Sequence, residues 1–177
     1  MNVVIYAGKY GTTACYASWI AEKTGADLYP IQQVTPKMLE SYDRIIFGGA
    51  VYGGEIQGIR FLKKNLEMLK RHRLILFTVG LTMPNDDVAF QEMLSRNLSE
   101  EEKEGISTYH FLGAIYYKSL SAKEKMMMWV LKSSLSKKAA RSPVEADIVE
   151  YYNGELDYTN ESYVAPLVDE ILKGEDI

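Results

Sequence analysis

At 177 residues, with 47% hydrophobic and 25% charged side chains, the chain has the length and composition of one globular domain able to bury a core, which excludes a disordered or fibrous protein. Its formal charge of −4 argues against a general nucleic-acid binder, because such proteins carry a net basic surface that displaces counterions from phosphates. A lone cysteine, Cys15, excludes an internal disulfide; the opening apolar run is too brief for a signal peptide, and no stretch approaches the roughly 20 apolar residues that span a bilayer, so a cytoplasmic location is expected.

Val3, Val4 and Ile5 form a β-branched run that stops at Ala7-Gly8-Lys9-Tyr10-Gly11, the pattern of a buried strand followed by a loop. From Thr13 to Lys23 the apolar positions recur at helical spacing, with Thr12 or Thr13 available as a cap and Gly25 as a stop. Asp27 to Gln32 reads as a second strand and Tyr42 to Gly48 as a third. Five glycines in the eleven residues from Gly48 to Gly58 read as a loop, before a crossover helix marked by Ile59, Phe61, Leu62, Leu66 and Leu69. Leu74 to Val79 predicts a fourth strand, Gly80 to Asp86 a loop, and Asp87 the cap of a helix carrying Val88, Phe90, Met93 and Leu94. Thr108 to Tyr116 predicts the fifth strand, Leu120 to Leu135 a basic, Met-rich helix, and Ser162 to Leu172 the closing helix. Alternation of this kind predicts an α/β fold: a doubly wound, five-stranded parallel sheet with helices on both faces, in a single domain over 1–177.

In such a sheet ligands bind outside the carboxyl ends of the strands, where the strand order reverses. Gly8-Lys9-Tyr10-Gly11-Thr12-Thr13 runs from a strand into a helix, so its amides and the positive end of the helix dipole can cradle a phosphate, with the two threonine hydroxyls as further donors. A tight turn with no ligand has the same composition. Neither a Walker loop nor the dinucleotide fingerprint is present. His72 and His110 lack metal-ligand spacing; Cys15 sits among core positions of the first helix, and Ala21 stands where a phosphatase loop needs arginine.

The run Tyr6-Ala7-Gly8-Lys9-Tyr10-Gly11-Thr12-Thr13, followed by Tyr16-Ala17 and Trp19-Ile20-Ala21, resembles the phosphate loop and first helix of the flavodoxin-domain family. The resemblance implies non-covalent FMN, with Lys9, Tyr10, Gly11, Thr12 and Thr13 around its phosphate. It places Ala50, Val51, Tyr52, Gly53 and Gly54 along one side of the isoalloxazine ring, with Tyr52 as the stacking candidate, and Leu81, Thr82 and Met83 along the other. Two positions depart from the family pattern: Gly8 replaces a hydroxyl residue and Tyr10 a threonine, and Lys9 offers electrostatic compensation. The third loop lacks the aromatic residue common in small electron carriers, which leaves one flavin face under aliphatic atoms or open to a substrate.

The layout Phe111-Leu112-Gly113-Ala114-Ile115-Tyr116-Tyr117, a basic helical insertion at about 118–141, then Tyr158-Thr159-Asn160-Glu161, resembles the menaquinone-dependent protoporphyrinogen IX dehydrogenase branch. Residues 118–141 hold seven Lys and Arg against Glu124, a net of +6, whereas residues 145–177 hold ten acids against Lys173, a net of −9. With Met126 to Leu131 inside it, the basic segment fits a helix lying on an anionic membrane near a quinone, a helix packed on its own domain, or a partner-binding helix. Three functions stay open: an FMN electron carrier serving a redox partner protein, a porphyrinogen- or quinone-linked oxidoreductase, and a non-catalytic interaction module that has lost the flavin.

Overall fold

The structure, a computed structural model, describes residues 1–174. Eight strands and nine helices lie among them: β1 Asn2–Ala7, α1 Thr12–Thr24, β2 Asp27–Pro30, α2 Pro36–Leu39, β3 Arg44–Tyr52, β4 Glu55–Ile56, α3 Ile59–Lys64, α4 Leu66–Leu69, β5 Arg73–Gly80, α5 Asp87–Asn97, α6 Glu100–Lys103, β6 Ser107–Leu112, β7 Ala114–Tyr116, α7 Ala122–Ser136, α8 Pro143–Glu150, β8 Glu155–Asp157 and α9 Ala165–Lys173. Five strands run parallel in the order β2-β1-β3-β5-β6, as the alternation predicts.

The apolar runs of β1, β3 and β5 lack polar alternation because both faces of the sheet are covered. Val3, Ile5, Ile45, Phe47, Leu74 and Leu76 point to one side, where Leu39, Leu62, Leu69, Met93 and Leu94 of α2 to α5 cover them. Val4, Ile46, Ile75, Phe77 and Val79 point to the other, against Tyr16, Ala17 and Ile20 of α1 and Leu167, Val168 and Ile171 of α9. Most of these side chains are fully buried, and each contributes roughly 1.5–3 kcal/mol on leaving water.

Several expected boundaries move. The third strand does not end at Gly48; it continues to Tyr52 and turns through Gly53 and Gly54 into the antiparallel β4. The glycines there serve close packing rather than a loop: a Cβ on Gly48 would lie 2.0 Å from Cζ of the buried Phe77. The second strand gives way after Pro30 to a short 3-10 turn. The crossover helix breaks at Asn65, whose side chain donates to the Phe61 carbonyl at 2.7 Å. Asp86, not Asp87, caps α5, accepting from Ala89 N at 3.0 Å. Gly113 splits the fifth strand, and β7 leaves the main sheet to pair with β8. Cys15 is only half-buried, since α1 turns it away from the packed stripe of Tyr16, Ala17 and Ile20.

After β6 the chain builds a third, smaller apolar cluster from Leu112, Ile115, Leu135, Val144 and Ile148, joining β7, α7 and α8. Serine capping boxes start both helices, Ser121 with Glu124 on α7 and Ser142 with Glu145 on α8. Of the acidic carboxyl-terminal stretch, Glu175 and Asp176 lie outside the described residues.

Candidate functional site

β1 and β3 sit side by side, yet the chain leaves β1 for β2 on one flank and reaches β3 on the other, so the order reverses at their carboxyl ends. A cavity of about 240 Å³ lies there. Tyr10, Thr12 and Thr13 form one end, Ala50 to Gly53 a side, and Gly80 and Leu81 the facing side. Gly113 to Tyr116 close the back, and Met127, Met128 and Leu131 of α7 form a roof.

The amino terminus of α1 opens at the Tyr10–Thr13 end of this cavity. Gly11 occupies the N-cap of α1 with φ 90°, a backbone conformation costly for other residues, and no side chain among the described residues caps the helix. Neither Thr12 nor Thr13 does so, in contrast to the sequence expectation. The first helical bond runs from Cys15 N to Gly11 O at 2.9 Å, so the amides ahead of it have no intrahelical acceptor and converge at the positive end of a 13-residue helix. The loop folds tightly because Gly8 has no side chain: a Cβ would lie 2.7 Å from the Oγ1 of Thr13, itself buried.

One carboxylate already faces this loop. Glu124 accepts from Lys9 Nζ through both oxygens at 3.2 Å and from Tyr10 Oη at 2.5 Å. Its partial burial resists ionisation, but bonds from Ser121, Tyr10 and Lys9 outweigh that and hold its pKa down at about 2. Lys9 is held above its usual range by Tyr10 first and Glu124 second. Tyr52 meets Tyr10 edge-on, ring centres 6.0 Å apart at 85°, and burial pushes its hydroxyl pKa up.

Residues 3–143 match the family model described as the flavodoxin domain. The chain belongs to the flavodoxin-domain family. Among solved structures similar to this flavodoxin domain, an archaeal flavodoxin is 16% identical, covering 70% of this chain and 87% of its own, at a TM-score of 0.42. The WrbA-like flavodoxin of Agrobacterium tumefaciens is 18% identical over 70% and 86%, at 0.42. A flavoprotein in complex with FMN from Lactobacillus acidophilus NCFM is 14% identical over 63% and 91%, at 0.40. The search of curated proteins gave no match.

Of the residues read from sequence, the flavodoxin domain brings Tyr10, Thr12, Thr13, Ala50, Val51, Tyr52, Gly53 and Leu81 to the cavity wall. Lys9 and Gly11 stand at the Tyr10–Thr13 end without lining it. Gly54 turns away, its carbonyl accepting from Asn97 Nδ2 at 2.7 Å. Met83 packs on the third apolar cluster and Thr82 stands beside His110. Sequence reasoning missed the back wall and the roof. A signal for the roof was present: Met127, Leu131 and Leu135 recur every four residues on one helical face, with Glu124 at its head. That face lies over the β3–β4 turn, with the Met127 methyl 2.5 Å from where a Gly53 Cβ would stand.

The outer face of α7 is apolar: Met126, Trp129 and Val130 are 64%, 59% and 55% exposed. The basic charge around it is partly engaged. Lys125 and Lys132 lie over the rings of Tyr117 and Tyr152, Lys138 pairs with Glu145, and Arg141 donates to the Leu135 and Ser136 carbonyls. Lys118, Lys123 and Lys137 make no ion pair among the described residues. No helix among those residues is long and apolar enough to cross a membrane.

Proposed function

We propose that this chain binds FMN non-covalently and transfers electrons through it. The uncapped amino terminus of α1, opening onto an apolar cavity at the sheet's switch point, carries the reading, and membership of the flavodoxin-domain family supports it. The residues present fit that group. First-turn amides and the hydroxyls of Thr12 and Thr13 would hold the phosphate, while Ala50 to Gly53 and Leu81 would flank the ring, with Tyr52 as the aromatic contact. Bound FMN supplies the redox chemistry; the protein orients it and excludes water with aliphatic and methionine side chains. Titration of the purified protein with FMN, followed by visible absorbance and flavin fluorescence, tests this with FAD and riboflavin as controls. Selective binding of FMN is expected; absence of binding leaves a flavodoxin-shaped interaction module.

The exposed apolar face of α7 beside unpaired lysines favours a second reading, a menaquinone-dependent protoporphyrinogen IX dehydrogenase-like oxidoreductase working at a membrane surface. Residues 118–141 would rest on anionic lipid, and the Met127, Met128 and Leu131 face would meet an apolar acceptor such as a quinone. The carrier reading instead gives the flavin to a redox partner protein. Quinone-coupled oxidation of protoporphyrinogen, and flotation with anionic but not zwitterionic vesicles, favour the enzyme; neither activity with retained FMN favours the carrier.

A further inference from the structure

Glu124 is bound in two directions. It is the third residue of α7 and completes that helix's capping box, its Oε2 accepting from Ser121 N at 2.7 Å and Ser121 Oγ at 2.5 Å. The same carboxylate grips Lys9 and Tyr10 of the phosphate loop. A single side chain therefore joins the start of the roof helix to the anion-binding end of the cavity. Glu124 itself lines the cavity, and its side chain is 17% exposed against 54% for Lys9. The cavity is open to solvent and small, about 240 Å³, where sites for small organic ligands span roughly 300–1,000 Å³. Met127 rests on the β3–β4 turn, its methyl 2.5 Å from where a Gly53 Cβ would stand, so the roof is seated closely.

On the FMN reading above, we propose that Glu124 is a built-in rival of the cofactor phosphate, a carboxylate that occupies the phosphate loop's cation and phenol and holds α7 down until a phosphate displaces it. Two anions cannot share Lys9 and Tyr10 without repulsion. Phosphate arrival turns Lys9 and Tyr10 toward the ligand, frees the Glu124 carboxylate from the loop, and loosens the first turns of α7. The mobility of α7 is thereby coupled to the phosphate. Riboflavin has the same ring and no phosphate, so it does not compete with Glu124 for Lys9 and Tyr10.

Glu124→Gln removes the charge and keeps a side chain suited to the third position of a capping box. The test titrates wild type, E124Q and S121A with FMN and with riboflavin, and follows amide exchange across 122–131 with and without FMN. E124Q is expected to bind FMN about tenfold more tightly with riboflavin affinity unchanged, and its α7 to exchange faster than wild type without flavin. FMN is expected to raise exchange of α7 in wild type. Ser121→Ala frays the cap without removing the charge, so its ratio of FMN to riboflavin affinity stays at the wild-type value. Weaker FMN binding by E124Q, equal gains for both flavins, or an S121A ratio that shifts as far as that of E124Q overturns the rivalry. If no protein binds FMN, the proposed function fails and the rivalry with it. The flavin-free exchange then decides the latch alone, and unchanged exchange in E124Q overturns it.

Discussion

The Glu124 carboxylate of α7 accepts a hydrogen bond from the hydroxyl of Tyr10, 114 residues earlier in the chain, at 2.5 Å, beside its contact with Lys9. Bonds from Ser121 first, then from Tyr10 and Lys9, favour the ionised form of Glu124 and depress its pKa from 4.5 to about 2 against the opposing effect of burial. A depressed carboxylate contributes stability that is fully present above its unfolded pKa, near 4.5, and is lost as pH falls through its folded value, near 2. The link between α7 and the phosphate loop should therefore persist unchanged at neutral pH and weaken only in that acid window. Carbon-detected NMR titration of Glu124 should give a midpoint near 2 in the wild type. In Tyr10→Phe the midpoint should move up toward the ordinary carboxylate range; an unmoved midpoint would show that the capping bonds from Ser121 suffice.

Lys9 stands at the mouth of the phosphate loop with its ammonium 5.0 Å from the centre of the Tyr10 ring. If it supplies the cation that compensates for the altered loop positions Gly8 and Tyr10, Lys9→Ala should weaken FMN binding roughly tenfold and leave riboflavin unaffected. Unchanged FMN affinity would assign phosphate binding to the α1 amides and threonine hydroxyls alone.

The sheet was legible because runs such as Ile45-Ile46-Phe47 and Leu74-Ile75-Leu76 have to be buried on both faces, and only a covered parallel sheet accommodates them. The turn from β1 into α1 was legible because Gly8 and Gly11 interrupt the passage from a β-branched run to a helical pattern, whereas its ligand was not, since turns that bind nothing have the same composition. What did not show locally depended on distant partners. Gly48 and Gly49 resemble a loop until Phe77 and Ile56 are known to lie against them. The break at Gly113 reflects pairing of β7 with β8, some forty residues on, which no local pattern records. Glu124 looked like the single acid in a basic segment; its partner Lys9 belongs to another part of the chain.

Gly48 gives the most direct test of that packing. Alanine there would place a methyl 2.0 Å from Cζ of Phe77, whose ring is fully buried in the cluster that joins the sheet to α1 and α9. Overpacking of this kind costs about 1–3 kcal/mol or more. Gly48→Ala should lower the urea midpoint accordingly, and Gly48→Ala with Phe77→Leu, which shortens the offending ring, should recover part of the loss. A midpoint unchanged in the single variant would mean that the strands shift apart readily.

His110 on β6 sets a second pH dependence, away from the phosphate loop. Its Nδ1 lies 2.7 Å from Thr78 Oγ1, its ring packs on Phe90 at 5.4 Å, and its Nε2 is buried with no hydrogen-bond partner within normal geometry among the described residues. Burial drives its pKa from 6.5 down to about 4, with the Thr82 backbone beside the ring opposing only in part. Below its ordinary pKa the unfolded chain takes up a proton that the folded chain refuses, so stability falls as pH drops from 6.5 and the loss levels off below about 4. Full realisation of that shift is worth at most roughly 3 kcal/mol. Because Gly80 and Thr82 of the loop flanking the cavity lie against this ring, acid should loosen that loop before it unfolds the sheet. Urea unfolding from pH 7 to pH 4 should show the loss in the wild type, and His110→Gln should remove most of the difference between the two pH values. An equal loss in the variant would assign the dependence to the carboxylates instead.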